Sequence, residues 1–413
     1  MSATTLANRS LKKVEQRASH AALSKNASRA PAPSVRSQTG RLDAIIVPAS
    51  RLAFCLQPAI NLAARLDVLL VVLCSKQTRA DHVAERVSSS PGARALIVDL
   101  PMTWRHPKFP TRTSSQVFRK ANGYRESDLS AKRNIGLLLA RLHGWNKIVF
   151  VDDDVTLSRT DNVARLAGQL DRYQVAGMIL RNYPDNSVVC HARRDAGLPQ
   201  DVFLTGAVLG VHCNNLPLSF FPNIYNEDWF FFAREAASRQ LREVGEASQL
   251  TYNPYARPDR ARREEFGDLL AEGLFALMAQ VDPGVRLGEQ LRAADEAYWS
   301  RFIEARHEVI TKTMNLLRVT GDRHGDNGRL SSALVSLAAA QDQLDHMITA
   351  EDCVSFVGAW QDDLEEWQRF SSGVNNVGST RDAMDFLQLS SWSRAEYGGV
   401  ASQSGWLGNV VSH

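Results

Sequence analysis

Five short apolar runs, separated by longer mixed segments, constrain the fold of this chain more than any other feature. The runs are four to six residues long, are rich in Val, Ile and Leu, and cover residues 44–47, 68–73, 95–100, 148–151 and 175–180. Apolar runs without polar alternation are typical of strands that are covered on both faces. Strands that alternate with helices favour a doubly wound sheet. The sequence therefore predicts an α/β fold of the Rossmann-like type, with a mainly parallel sheet flanked by helices.

Two of the segments between these runs have the pattern of amphipathic helices. They cover residues 58–66 and 127–143. The second begins with Ser127 and Asp128, whose side chains can cap a helix, and Gly144 follows it where a left-handed C-cap residue would fall. Both segments are expected to cover the sheet.

Beyond Pro258 the strand pattern gives way to helical periodicity. Apolar residues recur at steps of three, four or seven, and breaks at 282–284 and 321–328 divide the region into about four helices. The acids of 264–268 either help to close a site or form a solvated helix start. With 413 residues the chain exceeds one average domain. We therefore predict an α/β catalytic domain over 41–260, an α-helical C-terminal region over 261–388 and a flexible tail over 389–413.

The first forty residues differ from the rest in charge. They contain seven Lys or Arg against one acid, Glu15, a balance of +6 that leaves −3 for residues 41–413. We expect residues 1–40 to form a disordered basic tail, although this composition also occurs in organellar transit peptides. Because the folded body is nearly neutral, nucleic-acid binding is not expected.

The apolar runs and the cysteines indicate the compartment. The longest purely apolar run, Val68–Cys74, has seven residues, whereas a membrane-spanning helix needs roughly 20. The tail also lacks the continuous apolar core of a secretory signal. The five cysteines are scattered and form no C-x-x-C pair, which fits reduced thiols. We expect a cytoplasmic protein without a transmembrane segment.

Three consecutive aspartates, Asp152, Asp153 and Asp154, follow the fourth apolar run. Ligands of open parallel sheets bind beyond the carboxyl ends of the strands, so these acids are expected to face a crevice. Their mutual repulsion requires a counter-charge, and Mg²⁺ or Mn²⁺ bound to a diphosphate would supply one. The alternative is that the three residues form a turn.

Five segments in order carry a resemblance to a known family. They are Ile45–Arg51, Ala131–Gly136, Phe150–Val155, Phe203–Ala207 and Asn226–Phe230. In this order they resemble the opening strand with its nucleotide loop, the helix before the D-x-D strand, the D-x-D segment, the acceptor-side segment and the E-D motif of GT-A fold glycosyltransferases, in particular family 2. The resemblance covers a little over half of the chain and implies a nucleotide-sugar donor and a hydroxyl acceptor.

The resemblance also implies roles for the three aspartates. Asp152 would contact the nucleotide ribose or metal-bound water, and Asp154 would bind the Mn²⁺ or Mg²⁺ ion that joins the donor phosphates. Asp153 would lie behind them on the nucleotide side. The resemblance therefore makes Asp152 and Asp154 the candidate metal ligands. The transferase interpretation requires that the acids face a cleft and are not paired with arginines.

Further polar residues near the same strand ends are candidates for donor binding. They are Pro48, Ser50, Arg51, Ser75, Lys132, Arg133 and Asn134. Exposure on the surface of a helix is the alternative for Lys132. Many family members carry other residues after the first two strands, where this chain has Ala-Ser-Arg and Cys-Ser-Lys, so the nucleotide stays open.

Glu227 and Asp228 are the candidate general bases for the acceptor. By resemblance we assign this role to Asp228, which would take the proton of the acceptor hydroxyl in a single displacement with inversion. Alternatively, both acids only begin a helix, where they favour the N-terminal dipole. The aromatic run 229–232 is interpreted mainly as core packing.

Two other functions compete with glycosyl transfer. A nucleotidyltransferase also uses metal-bound aspartates on such a sheet, but it normally carries a Gly-rich loop after the first strand, and Pro48–Arg51 contains no glycine. A catalytically inactive scaffold would bind a protein partner through the helical region. That region is also a candidate contact surface for a homo-oligomer.

Overall fold

A mixed, mostly parallel sheet forms the centre of the structure. The computed structural model describes residues 20–402, apart from 35–36, 38, 185–186, 215–216 and 325–327. The strands are β1 (Ser24–Asn26), β2 (Ala44–Ala49), β3 (Leu69–Cys74), β4 (Arg94–Asp99), β5 (Lys147–Val151), β6 (Val155–Thr156), β7 (Val175–Leu180), β8 (Val208–His212), β9 (Leu241–Gln249), β10 (Trp392–Glu396) and β11 (Gly399–Ser402). Their order is β1-β9-β7-β8-β5-β2-β3-β4-β10-β11, and β6 pairs with β9. Only β8 and β10 run against the other strands on this path. The predicted mainly parallel sheet is confirmed.

Helices cover the sheet and fill the C-terminal region. They are α1 (Gln57–Leu66), α2 (Ala80–Ser88), α3 (Leu129–His143), α4 (Thr160–Gln169), α5 (Val188–Asp195), α6 (Glu227–Phe231), α7 (Ala233–Ala237), α8 (Pro258–Gln280), α9 (Leu287–Leu291), α10 (Glu296–His324), α11 (Arg329–Met347), α12 (Ala350–Ser372) and α13 (Thr380–Phe386). Short 3₁₀ turns cover Ala21–Leu23, Ala53–Leu56, Arg112–Ser114 and Gln116–Phe118. The C-terminal region thus has six described helices, not four. The first predicted break is confirmed, whereas α10 continues to His324, into the second, and residues 325–327 lie outside the described residues.

The α3 helix shows how the sequence sets its ends. The hydroxyl of Ser127 accepts the N–H of Leu129 at 3.2 Å, at the start of the helix. Gly144 has a φ of 70° and closes the helix with its own N–H, as the sequence predicts. Gly136 lies against the sheet, where a Cβ would be 2.7 Å from the ring of Phe150. The glycine therefore allows the helix to approach β5 closely.

Alternate side chains of the central strands enter two separate cores. Ile46 packs in one core with the C-terminal helices, including Trp299 and Trp360. Ile45 and Val47 point to the opposite face, into a core with α1 and α2. Because one face of the sheet shares its core with α8 to α12, the helical region is not an independent appendage. The predicted boundary at residue 260 lies inside α8.

Both ends of the described chain correct the predicted tails. Residues 24–26 form β1, which pairs in parallel with β9, and His20 is buried. At the other end β10 pairs antiparallel with β4, within the segment predicted as flexible. Residues 1–19 and 403–413 of the predicted tails lie outside the described residues.

Two further sequence expectations concern membranes and thiols. In the part of the chain that the structure describes, no helix is both long and apolar enough to cross a bilayer. All five cysteines are free thiols, and four of them are buried.

Candidate active site

A cavity of about 800 Å³ opens beyond the carboxyl ends of β2, β3 and β5. Its lining includes the loops after these strands, the first turns of α3, α5 and α6, the end of β9 and α8 as far as Glu272. Asp152, Asp153 and Asp154 all line it, and so do Glu227 and Asp228. The structure therefore brings the aspartate run and the E-D segment to one cavity.

Asp153 fixes the loop that follows β2. Its Oδ2 accepts the backbone N–H groups of Ser50 and Arg51 at 2.7 and 2.8 Å. Its Oδ1 accepts from the Arg51 guanidinium, and the side chain is buried. Because both oxygens are occupied, Asp153 holds the loop in position.

Asp154 lies beside Asp153 and shares the same arginine. Its Oδ2 is 2.7 Å from Nη2 of Arg51 and accepts from Gln249 Nε2 at 3.1 Å. Burial raises the pKa of Asp154, and the nearby Arg51 charge opposes this shift. The carboxylate is thus a buried negative charge that one guanidinium neutralises.

Asp152 points more openly into the cavity. Its Oδ1 accepts from Nη2 of Arg133 at 3.0 Å, and its side chain is 23% exposed. Among the described residues, none donates a hydrogen bond to its Oδ2. Burial, opposed by Arg133, raises the pKa of Asp152 to about 6. Asp152 therefore keeps one oxygen for a ligand or a cation.

Arg133 joins the two halves of the site. Its guanidinium contacts Asp152 at 3.0 Å and Oε1 of Glu227 at 2.5 Å, and the side chain is buried. It lies 5.5 Å from the centre of the Phe221 ring. On another side a Cβ at Gly206 would lie 2.7 Å from Cζ of Arg133. Arg133 is therefore a fixed link between β5 and α6.

Asp228 is a buried acid with an unusual titration. Its Oδ1 accepts the N–H of Trp229 at 3.0 Å, and its Oδ2 accepts the N–H of Gly206. Burial and the neighbouring Glu227 charge raise the pKa of Asp228 to about 7. Asn226, the residue before this pair, has a φ of 61°, a conformation rare outside glycine. Burial and the Glu227 charge therefore make Asp228 hold its proton more strongly than an exposed aspartate does.

Several predicted donor-binding residues are engaged by the protein itself. Lys132 is buried, and its Nζ lies 2.6 Å from both the Ala49 carbonyl and the Ser75 hydroxyl and 3.3 Å from Asp128. Exposure on the helix surface is therefore excluded for Lys132. Asn134 exchanges two hydrogen bonds of 2.9 Å with the backbone of Phe221.

The cavity lining separates these residues further. Pro48, Ser50, Arg51, Lys132 and Arg133 line it. The sequence predicts nucleotide contacts for Ser75 and Asn134 as well, but neither residue lines the cavity. The side-chain polar atoms of both are hydrogen-bonded within the protein.

The far wall of the cavity comes from α8, for whose acids at 264–268 closure of a site is one of the two sequence alternatives. Asp268 and Glu272 line the cavity and are buried. Arg306 of α10 contacts Asp268 at 2.6 Å and Glu265 at 2.7 Å, and it is fully buried. The acids of 264–268 are therefore not a solvated helix start. Glu272 was not predicted, and its signal is the spacing of one turn from Asp268 within the mainly apolar second half of α8.

Two arginines of the lining have no ion pair. Arg125 and Arg257 face the cavity, and no carboxylate of the described residues lies within salt-bridge distance of either. Arg125 has a hydrogen bond of 3.5 Å to Asn223, and burial lowers its pKa. Guanidinium groups that line a cavity without an ion-pair partner bind phosphate or carboxylate oxygens well. Trp229 also lines the cavity, whereas the other rings of the aromatic run are core residues.

Two groups of side chains could hold a metal ion. Cys190, Asp268 and Glu272 bring ligand atoms within 4.8 Å of one another. Both oxygens of Asp268, however, already accept hydrogen bonds, and Arg306 supplies the positive charge there. Asp152 and Asp154 offer hard oxygens, and the Arg51 guanidinium already acts as a cation at Asp154. The carboxylate oxygens of Asp152 and Asp154 are of the type that Mg²⁺ and Mn²⁺ prefer, but among the described residues no third His, Cys, Asp or Glu joins them in a group whose ligand atoms all lie within 4.8 Å of one another.

The sequence interpretation set two conditions for the aspartate run. The structure meets the first, because the acids line a cavity. It does not meet the second, because Arg51 contacts Asp153 and Asp154 and Arg133 contacts Asp152. The repulsion within the run is therefore offset by arginines without a metal, and this corrects the electrostatic argument drawn from the sequence.

Comparisons with known proteins give matches among solved structures alone. No protein-family model matches the chain, and a search of curated proteins gave no match. Among solved structures, the chain is similar to a mannosyltransferase from Pyrobaculum calidifontis in complex with GDP-mannose and Mn²⁺. The two chains are 16% identical, the match covers 87% of this chain and 92% of that one, and the TM-score is 0.39. A likeness of this size establishes no shared activity, so the function is argued from the cavity.

Proposed function

We propose that this protein is a metal-dependent glycosyltransferase, which moves a sugar from a nucleotide-sugar donor to an acceptor hydroxyl with inversion. One observation carries the proposal. A single cavity at the carboxyl ends of parallel strands holds both an open carboxylate, Asp152, and a buried acid with a pKa of about 7, Asp228. Arg133 fixes the distance between the two halves through Asp152 and Glu227.

The donor half of the proposed site lies at the ends of β2 and β5. The loop Pro48–Arg51 would receive the nucleotide, as expected for ligands at the carboxyl ends of a parallel sheet. Asp152 and Asp154 would hold Mn²⁺ or Mg²⁺, which when bound offsets the charge that develops on the departing diphosphate. The half-exposed Arg51 would add charge-assisted hydrogen bonds to the phosphates.

The acceptor half lies at the start of α6. Asp228 would remove the proton of the acceptor hydroxyl as its oxygen attacks the anomeric carbon, while the bond to the nucleoside diphosphate breaks. A base with a pKa near 7 matches this task, because it is deprotonated often enough and still binds a proton strongly. Trp229 would contact the apolar face of a sugar ring.

The arginine contacts are compatible with this proposal for two reasons. Asp152 keeps an oxygen without a hydrogen bond, despite its contact with Arg133. The side chain of Arg51 is 46% exposed, so it can leave Asp154 at a lower cost than a buried arginine. We therefore interpret the arginine–aspartate contacts as those of the protein without donor and metal.

The experiment that tests the proposal measures ligand binding first and transfer second. GDP-, UDP- and dTDP-sugars are screened for an increase in melting temperature, with and without Mn²⁺, because a ligand that binds the native state stabilises it. We expect one nucleotide series to stabilise the protein in a metal-dependent way. Asp154→Asn should lose this stabilisation, whereas Asp228→Asn should retain it and lose transfer.

Asp201→Asn is the control, because Asp201 is exposed and does not line the cavity. It should behave as the parent protein in binding and in transfer. If no nucleotide sugar stabilises the protein under any metal condition, the proposed function is refuted. Equal loss of binding and transfer in Asp228→Asn would assign that residue to the helix start instead.

A further inference from the structure

Arg51 occupies an unusual place, because it belongs to the proposed nucleotide loop and also neutralises the proposed metal ligand. Its Nη2 is 2.7 Å from Oδ2 of Asp154, and its Nη1 contacts Asp153. The guanidinium therefore lies where a cation bound to Asp154 would lie. A metal ion and Arg51 cannot both use this oxygen at close range, because their charges repel.

The backbone of Arg51 is held, but its side chain is not. The N–H of Arg51 is bound by Asp153 at 2.8 Å, and its carbonyl accepts from the Thr78 hydroxyl. The side chain is 46% exposed at the cavity and makes no ion pair other than those with the two aspartates, among the residues that the structure describes. The guanidinium can therefore swing away without a change in the loop.

The two aspartates respond differently to such a movement. Asp153 would keep two backbone hydrogen bonds, from Ser50 and Arg51, so its charge stays stabilised. Asp154 would keep the hydrogen bond from Gln249 at 3.1 Å and one from its own backbone N–H. A buried carboxylate with neutral donors alone is costly, so the departure of Arg51 creates a demand for another cation at Asp154.

We propose that Arg51 is an exchangeable counter-ion of Asp154, which holds this carboxylate in the free protein and yields it to a divalent cation. The phosphates of a bound nucleoside diphosphate favour the exchange, because they offer the guanidinium a bidentate anionic partner. This inference rests on the proposed function for the identity of the ligand, and it makes Arg51 a positioning residue for the metal.

The test measures Mn²⁺ binding to the full chain, without turnover. Free Mn²⁺ is followed by its electron paramagnetic resonance signal during titration of the parent protein and of Arg51→Ala. Without nucleotide, we expect Arg51→Ala to bind Mn²⁺ at least about tenfold more tightly, a typical size for coupling between two sites. GDP, UDP or dTDP should then strengthen Mn²⁺ binding by a larger factor in the parent protein than in Arg51→Ala.

Two further variants show where the ion binds and whether net charge alone explains the gain. Arg257→Ala removes the same charge from the same cavity, at a residue without contact to Asp154, and should leave Mn²⁺ affinity within about twofold of the parent. Asn in place of Asp154, introduced into Arg51→Ala, should abolish the gain. Thermal unfolding with and without Mn²⁺ checks folding, and Mn²⁺ should stabilise Arg51→Ala more than the parent.

The inference is overturned if Arg51→Ala binds Mn²⁺ no more tightly than the parent, if Arg257→Ala shows the same gain, or if the gain survives Asp154→Asn. Its failure can be told from that of the proposed function. Tighter Mn²⁺ binding in Arg51→Ala, with no response to any nucleoside diphosphate or nucleotide sugar, supports the exchange and refutes the glycosyltransferase. Metal-dependent binding of a nucleotide sugar, with no increase in Mn²⁺ affinity in Arg51→Ala, supports the glycosyltransferase and refutes the exchange.

Discussion

Replacing Arg133 by Met tests the link between the two halves of the cavity. The guanidinium is buried and is the ion-pair partner of Asp152 and Glu227 at 3.0 and 2.5 Å. Met has a similar length and no charge, so Arg133→Met removes the ion-pair partner of the buried Glu227 carboxylate and of the partly buried Asp152 carboxylate. Breaking a buried ion pair by removal of one partner costs about 3–5 kcal/mol. We therefore expect the free energy of unfolding at pH 8 to fall by about this amount.

The loss should depend on pH in a direction set by Asp152. The pKa of this acid is already raised to about 6 with Arg133 beside it, and it rises further without that charge. An acid with a folded-state pKa above its unfolded value is stabilised in its protonated form, so stability recovers as the pH falls. The difference between Arg133→Met and the parent should therefore be smaller at pH 5 than at pH 8.

Urea unfolding at the two pH values measures both effects. Arg141→Met is a matched control on the same helix, because among the described residues Arg141 donates to neutral oxygens, those of Asn214 and Val374. This substitution should lower the free energy of unfolding by about 1 kcal/mol. Adding Asp152→Asn to Arg133→Met should restore part of the loss. A loss below about 1 kcal/mol at pH 8, or the same loss at both pH values, would refute the assignment of Arg133 as the fixed link.

Three further predictions use the same cavity. For Asp228, kcat/KM for transfer should fall about tenfold per pH unit below pH 7, and Asp228→Asn should lower it by about 10²–10⁴-fold and flatten the profile; an unchanged profile would exclude Asp228 as the base. Arg125→Ala should weaken pyrophosphate binding about tenfold by calorimetry, with Arg125→Lys retaining part of it, and equal affinities would show that this guanidinium meets no anion. Gly206→Ala places a Cβ 2.7 Å from Cζ of Arg133, so urea unfolding should reveal a loss of about 1–3 kcal/mol, which a stability equal to the parent would contradict.

The sequence predicts those parts of the fold in which local pattern and burial agree. The strands β2 to β5 and β7 are covered on both faces, so they are continuous apolar runs that can be recognised without other information. In contrast, β9 reads Leu-Arg-Glu-Val-Gly-Glu-Ala-Ser-Gln and β10 reads Trp-Ser-Arg-Ala-Glu. The charged residues of β9 and β10 break the apolar pattern, so neither segment is recognised as a strand from its sequence. Both join the sheet through pairing with strands that are distant in the chain.

The acidic residues of the candidate site can be predicted from the sequence, whereas their arginine partners cannot. Asp152 to Asp154 and Asp228 stand in segments with a recognisable order, and all of them line the cavity. The pairing of Arg51 and Arg133 with these acids spans 19 to 103 residues and leaves no trace in local pattern. Arg306, 38 residues beyond Asp268, is equally hidden. Charge balance in the cavity is a property of the fold, so sequence spacing alone overestimates the need for a metal.

The pairing of β10 with β4 has a consequence for synthesis of the chain. Trp392 lies opposite Val98, so the outer edge of β4 stays without this partner until Trp392 and the rest of β10 have left the ribosome. Until then β4 presents unpaired N–H and C=O groups beside apolar side chains, which is the kind of edge that recruits strands from other molecules. Fragments that stop before Trp392 are therefore expected to aggregate, because the hairpin of β10 and β11 that covers the outer edge of β4 is missing from them.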